Sequence, residues 1–255
     1  MRRAIALAST TFMVLTLTTA VAAASTPLHL RPINVVHRVR GASTSTNWAG
    51  YASTGTTFKA VKGKWVEPAV NCSAAANGIV AFWVGLDGFT SSTVEQDGTI
   101  AICSSGVPSY YDWWEMYPTE SVQIVAVINP GDSISGSVKL KGSTYVLKVT
   151  DATTPSASFT ERQTCSGTCQ RTSAEWISEA PCCVGSSVYP MPNFGTIKFK
   201  GASATSSAGH AGAINDPTWA ANSITMINGS SQTKVSTSAL NGAGNSFTNT
   251  WVRAS

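Results

Sequence analysis

Alternation of apolar and polar side chains with a period of two recurs from Thr44 to the C-terminus, and it constrains this chain more than any other feature. Val138 and Leu140 alternate with Lys139 and Lys141. Tyr145, Leu147 and Val149 alternate with Val146, Lys148 and Thr150, and Ile197 and Phe199 with Lys198 and Lys200. Strands with one buried face read this way, because successive side chains point to opposite faces. Asn129-Pro130-Gly131-Asp132, Lys141-Gly142-Ser143 and Asn228-Gly229-Ser230 supply turns between them. No amphipathic helix, internal repeat or second composition regime interrupts the pattern. The chain is therefore predicted to form one all-β domain, an antiparallel sandwich or barrel.

The N-terminal end is different. Residues 1–24 carry Arg2 and Arg3, an apolar stretch diluted by threonine, and the small residues Ala22-Ala23-Ala24, the layout of a secretory signal peptide. Residues 25–43 hold Arg31, Arg38 and Arg40 and no acid, which predicts a short propeptide or linker before a domain over 44–255. The whole chain has 17 Lys+Arg and 13 Asp+Glu. Without the five arginines of the N-terminal end, twelve cations face thirteen acids. That balance predicts no basic patch and no nucleic-acid partner, and no later segment suits a membrane. Six cysteines behind a signal peptide predict disulfides in a secreted protein. Cys72 with Cys103 is the expected first bridge. Cys165, Cys169, Cys182 and Cys183 are expected to form two more, with the vicinal pair bonding outward; a zinc site on these four is the rival.

Chemistry narrows by elimination. His210 is the one histidine beyond the N-terminal segment, and no Gly-x-Ser-x-Gly elbow accompanies it. No His-Glu-x-x-His motif is present. Hydrolysis would have to rest on carboxylates and amides. Two carboxylates share one strand, Ala174-Glu175-Trp176-Ile177-Ser178-Glu179, where Glu175, Ile177 and Glu179 fall on one face and Trp176 and Ser178 on the other. A second strand, Tyr110 to Tyr117, sets Tyr111, Trp113, Glu115 and Tyr117 on one face. Three aromatics around a carboxylate suit the floor of a cleft or, equally, a buried core strand.

These blocks carry a resemblance. Asn47-Trp48-Ala49-Gly50, Trp83-Val84-Gly85-Leu86-Asp87-Gly88, Thr93-Val94-Glu95-Gln96-Asp97-Gly98, Trp113-Trp114-Glu115-Met116-Tyr117-Pro118 and Ala174 to Glu179 occur in the order found in the glutamic peptidases, or eqolisins. The resemblance implies two packed, curved antiparallel sheets bent around a substrate groove. It implies a monomeric acid endopeptidase acting on polypeptides, with no metal and no cofactor. It places the catalytic pair at Gln96 and Glu179 and implies that Trp48, Asp87 and Glu115 line or support the cleft; Trp83, Trp113 and Tyr117 are expected around the substrate as well. Glu179 would activate water, and the Gln96 amide would stabilise the oxyanion. If Gln96 donates to Glu179, the pKa of that acid should lie near or below the ordinary value of ~4.3.

The chain departs from the family's pattern in three places, one of them after Glu179, where it reads Ala180-Pro181-Cys182 and lacks the further acids of some members. Asp97 follows the glutamine where the family often has threonine, which would set a carboxylate beside the catalytic amide. Asp112 stands one step out of register from an acid often found before the aromatic strand's tryptophan. Two other readings fit the composition: a lectin-like sandwich stacking sugars on Trp48, Trp113 and Trp114, or a glycosidase pairing Glu115 with Glu179.

Overall fold

The computed structural model describes residues 36–39, 42–184 and 187–255. The expected signal peptide and most of the expected propeptide lie outside the described residues. In chain order the strands begin with β1 (Val36–Val39), β2 (Ala42–Ser45), β3 (Trp48–Thr54), β4 (Phe58–Val66), β5 (Ile79–Leu86) and β6 (Val94–Ser104). They continue with β7 (Val107–Tyr117), β8 (Glu120–Val127), β9 (Ser133–Lys141), β10 (Thr144–Asp151), β11 (Phe159–Thr164) and β12 (Ser173–Glu179). Short β13 (Cys182–Val184) and β14 (Ser187–Val188) precede β15 (Thr196–Ser206), β16 (Ala211–Gly212), β17 (Ala220–Ile227), β18 (Thr233–Thr237) and β19 (Phe247–Trp251). Only two single-turn 3-10 segments, Cys72–Ala74 and Pro155–Ala157, add helical character among the described residues.

Two antiparallel sheets form the predicted sandwich. The front sheet runs β8-β7-β6-β5-β12-β3-β17. The back sheet runs β16-β15-β4-β9-β10-β11. Strand β15 belongs to both layers: Thr196–Phe199 pairs with β19, and Lys200 onward pairs with β4. The change of sheet falls at Gly201, whose φ of 57° is open to glycine without strain, beside a register shift between Lys200 and Ser203. A strand bent there can turn the corner from one sheet to the other.

The alternation in the sequence is obeyed. Tyr145, Leu147 and Val149 of β10 are buried while Lys148 is exposed, and Ile197 and Phe199 of β15 are buried between exposed lysines. Between the sheets lies one core, built from Trp65, Phe82, Val84, Leu147, Trp176 and Phe199 among others. Strands β5 and β12, central in the front sheet, are buried on both faces. Their second face joins another cluster, which includes Trp48, Trp83, Ile100, Trp113 and Ile177. Burial on both faces answers the question posed by the β12 acids: Glu175 and Glu179 are both 0% exposed, so neither is a solvated surface charge.

Strand β2 pairs in parallel with Ser223–Met226 of β17, and Ser43 is buried. The last residues of the expected linker are therefore part of the sheet. Cys72 and Cys103 are joined as expected. In the second group Cys165 pairs with Cys169, closing a short loop after the edge strand β11. That pairing corrects the expectation that the vicinal Cys182–Cys183 pair bonds outward, since both outward partners are taken. It also ties up two of the thiolates a zinc site would need.

The charge balance is misleading for a physical reason. Ten of the thirteen acids are buried, among them Glu67, Glu95, Asp97, Asp112, Asp132 and Asp151. The surface is consequently far more cationic than the near-neutral sum, and the expectation that no basic patch survives is corrected.

Candidate active site

The site is built on the front sheet's outer face. On β6, Val94, Gln96 and Ile100 share this face, while Glu95, Asp97 and Ala101 face the back sheet. Gln96 lies opposite Glu115 of β7 on one side and Gly85 of β5 on the other. Glu175 of β12 lies opposite Gly85 as well, so only a glycine separates it from Gln96 across the strands. Glu179, at the end of β12, lies opposite Trp48 of β3 and Ala81 of β5.

Side chains close the distance that the register leaves. Trp83 folds over Gly98, where a Cβ would stand 2.6 Å from the Cβ of Trp83 and 2.1 Å from the carbonyl oxygen of Phe82. The Nε1 of Trp83 donates to Oε2 of Glu179 at 3.0 Å. Asn47 Nδ2 donates to Oε1 of the same carboxyl at 3.0 Å. Gln96 Nε2 donates to Oε2 of Glu115 at 2.7 Å. Trp48 packs edge-on to Trp83 with centroids 4.9 Å apart. Gln96, Glu115 and Glu179 are all fully buried.

Burial pushes the Glu179 carboxyl well above its ordinary pKa, and the charge of Glu115 pushes it the same way. Donors on Trp83, Trp48 and Asn47 oppose the rise without cancelling it. The expected low pKa is thus corrected. Gln96 does not donate to Glu179; it donates to Glu115, and desolvation dominates. Glu175 is also raised well above the ordinary range, by burial first.

The other expected residues separate into groups. Trp48, Trp83 and Trp113 are fully buried in the site-facing cluster, and Tyr117 packs at its edge, half-buried. Asp87 supports the site from a turn. It adopts φ 69° and accepts from Ser91 Oγ at 2.9 Å, from Thr172 N at 2.8 Å and from Arg171 N, tying the β5–β6 turn to the segment before β12. Asp97 faces away from Gln96 into the space between the sheets, where its Oδ2 accepts from Lys148 N at 2.8 Å. Asp112 does the same on β7, accepting from Ala126 N at 2.6 Å. The one-residue offset in sequence sets each on the opposite face of its strand.

Asn47 was not singled out from the sequence as a site residue. Its one signal is that it opens the Asn47-Trp48-Ala49-Gly50 block. The lectin reading loses one platform, because Trp114 belongs to the inter-sheet core. His210 sits on the surface with Nε2 3.0 Å from Asp216 Oδ2 and has no part in this site.

Comparison with known proteins gives the same picture. Aspergillopepsin-2 of Aspergillus niger is 30% identical over 186 residues, covering 64% of this chain and 65% of the relative's own length. The crystal structure of scytalido-glutamic peptidase with a transition state analog inhibitor matches at a TM-score of 0.69 and 25% identity, over 81% of this chain and 98% of that one. That of aspergilloglutamic peptidase from Aspergillus niger matches at a TM-score of 0.58 and 30% identity, over 68% and 99%. The profile of the Peptidase A4 family matches residues 46–249, a span that holds every block around the site, and the chain belongs to that family.

Proposed function

We propose that this protein is a secreted endopeptidase that hydrolyses polypeptides with Glu179 and Gln96 as its catalytic pair. The observation that carries the reading is the chain of contacts Asn47/Trp83–Glu179 and Gln96–Glu115 on one buried sheet face. Ionised Glu179 takes a proton from water as the water oxygen bonds to the scissile carbonyl carbon. A carboxyl held above the ordinary range is a stronger base once ionised, and it keeps the proton until the C–N bond breaks and the leaving nitrogen receives it. The Gln96 amide, positioned by its bond to Glu115, donates to the oxyanion. The indole N–H of Trp113 is buried without a hydrogen-bond partner among the described residues, which suits it to a backbone carbonyl of a bound peptide. No step calls for a metal or a cofactor.

Full burial of Glu179 and Gln96 in the 255-residue chain supports a zymogen reading, since a peptide must reach both. We infer that loss of an N-terminal segment, the expected propeptide, opens the groove. The disulfides fit an oxidising, extracellular compartment. The test is hydrolysis of denatured casein at acid pH by the purified protein, with Glu179→Gln as control. Strong inhibition by pepstatin or EDTA would overturn the mechanism.

A further inference from the structure

The back sheet's outer face has no part in the site described above. Along β4 it presents Lys62 and Lys64, along β9 Lys139 and Lys141, and along β15 Lys198 and Lys200, all exposed. Lys148 of β10 and Arg162 of β11 extend the same face. Eight of the twelve cations beyond the N-terminal segment thus stand on this face or at its edge, Lys198 lying just before β15 changes sheet and sharing a hollow with Lys64 and Lys200. No carboxylate points outward from these strands: Asp151 is buried, and Glu161 shares the inward face with Leu147. Among the described residues none of the eight forms an ion pair. Lys64 and Lys200 lie directly opposite each other on neighbouring strands, an arrangement that costs stability.

The cations are spaced by hydroxyls. One lateral row reads Ser203, Lys62, Ser137, Lys148, Thr160, so cations recur every second strand, about 10 Å apart. Two hollows interrupt the face. One, of about 410 Å³, is lined by Lys64, Lys198, Lys200, Ser133 and Thr196 and, beneath them, by the buried Glu67, whose carboxyl burial raises to about 8; another, of about 270 Å³, by Lys62, Lys139, Ser137, Ser203 and Thr205.

We propose that this face binds an acidic polysaccharide, laid across the strands with its anionic groups on the lysines and its hydroxyls on the Ser and Thr rows. Charge complementarity gives the sign of the partner. The spacing favours a glycan with an anion on every second sugar over duplex DNA, which carries one charge per about 1.7 Å of axis. No aromatic ring is presented for stacking single-stranded bases. Val66 is the one markedly exposed large apolar residue of these strands, too little to enter a bilayer. Binding of this kind would hold the secreted protein on an acidic matrix while leaving the opposite sheet's site free.

The probe is dextran sulfate, with neutral dextran as control, on the intact secreted protein at low salt. Binding should be confined to dextran sulfate and should weaken as salt rises. Substituting Lys62→Ser, Lys64→Ser, Lys198→Ser and Lys200→Ser together should weaken it about tenfold or more, with Tm equal or higher and hydrolysis of a soluble peptide unchanged. Should that variant misfold, Lys139→Ser with Lys148→Ser carries the same expectation. Absence of binding, or binding unaffected in a folded variant, overturns the proposal. Tighter binding to duplex DNA or phosphatidylserine vesicles through the same lysines overturns the glycan in favour of that partner.

Discussion

The Nε2 of Gln96 donates to Oε2 of Glu115 at 2.7 Å in a fully buried setting. The amide nitrogen of Gln96 thus faces the Glu115 carboxyl. Gln96→Ala should lower kcat about 100-fold, the scale of a lost oxyanion donor, with a smaller effect on KM. Steady-state kinetics on one peptide separates the two, and a variant changed only in KM would deny Gln96 its role in the transition state.

Glu115 also raises the pKa of Glu179. If Glu179 must be ionised to act, activity falls as pH drops through its folded pKa. Removing the neighbouring charge lowers that pKa, so in Glu115→Gln the acid limb of kcat/KM should move to lower pH. Because the two carboxyls interact, the limb reports the pair. A limb that stays in place would show that Glu115 does not act on Glu179 in the open enzyme.

The two acids of β12 should behave differently. Glu179→Gln removes the base and should abolish hydrolysis. Glu175 holds its proton when buried, so Glu175→Gln replaces one neutral group with another of the same shape. Its activity should stay within a few-fold of wild type. The reverse result, measured on the same peptide, would transfer the catalytic role to Glu175.

Stability should fall with rising pH. Burial raises Glu67 from 4.5 to about 8 and Asp112 from 3.8 to about 6, and it raises Glu95, Asp97 and Glu175 as well. Each binds its proton more tightly folded than unfolded. Their contribution is complete below the unfolded pKa and is lost as pH rises through the folded one. Tm should be highest in acid and decline between about pH 5 and pH 8. Asp97→Asn should flatten the decline and leave the pH profile of activity in place, because Asp97 lies across β6 from Gln96. A Tm that rises toward neutrality would contradict this account.

Processing should stop short of the sheet. Strand β2 begins at Ala42 and pairs with β17, so cleavage beyond it would strip a strand from the front sheet. N-terminal sequencing of the active form should find a start at or before Ala42 and after Ser25. Full activity in a form that begins at Ser25 would remove the zymogen reading.

The sequence by itself determined the sandwich, because alternation between Leu147 and Lys148 or between Phe199 and Lys200 leaves a strand one way to bury its apolar face. It also set Glu175 with Glu179, and Trp113 with Glu115, on common faces, since period two is local geometry. Tertiary structure decided the rest. Gln96 and Glu179 lie on different strands and in different lateral rows, and among the described residues Trp83 and Glu115 bridge them. Whether Asp97 stood beside the amide or behind it depended on which face of β6 met the back sheet, which the back sheet supplies. The titration of Glu179 and the cationic surface both follow from which carboxylates became buried. Desolvation belongs to the packed molecule, and a charge sum over the chain contains no trace of it.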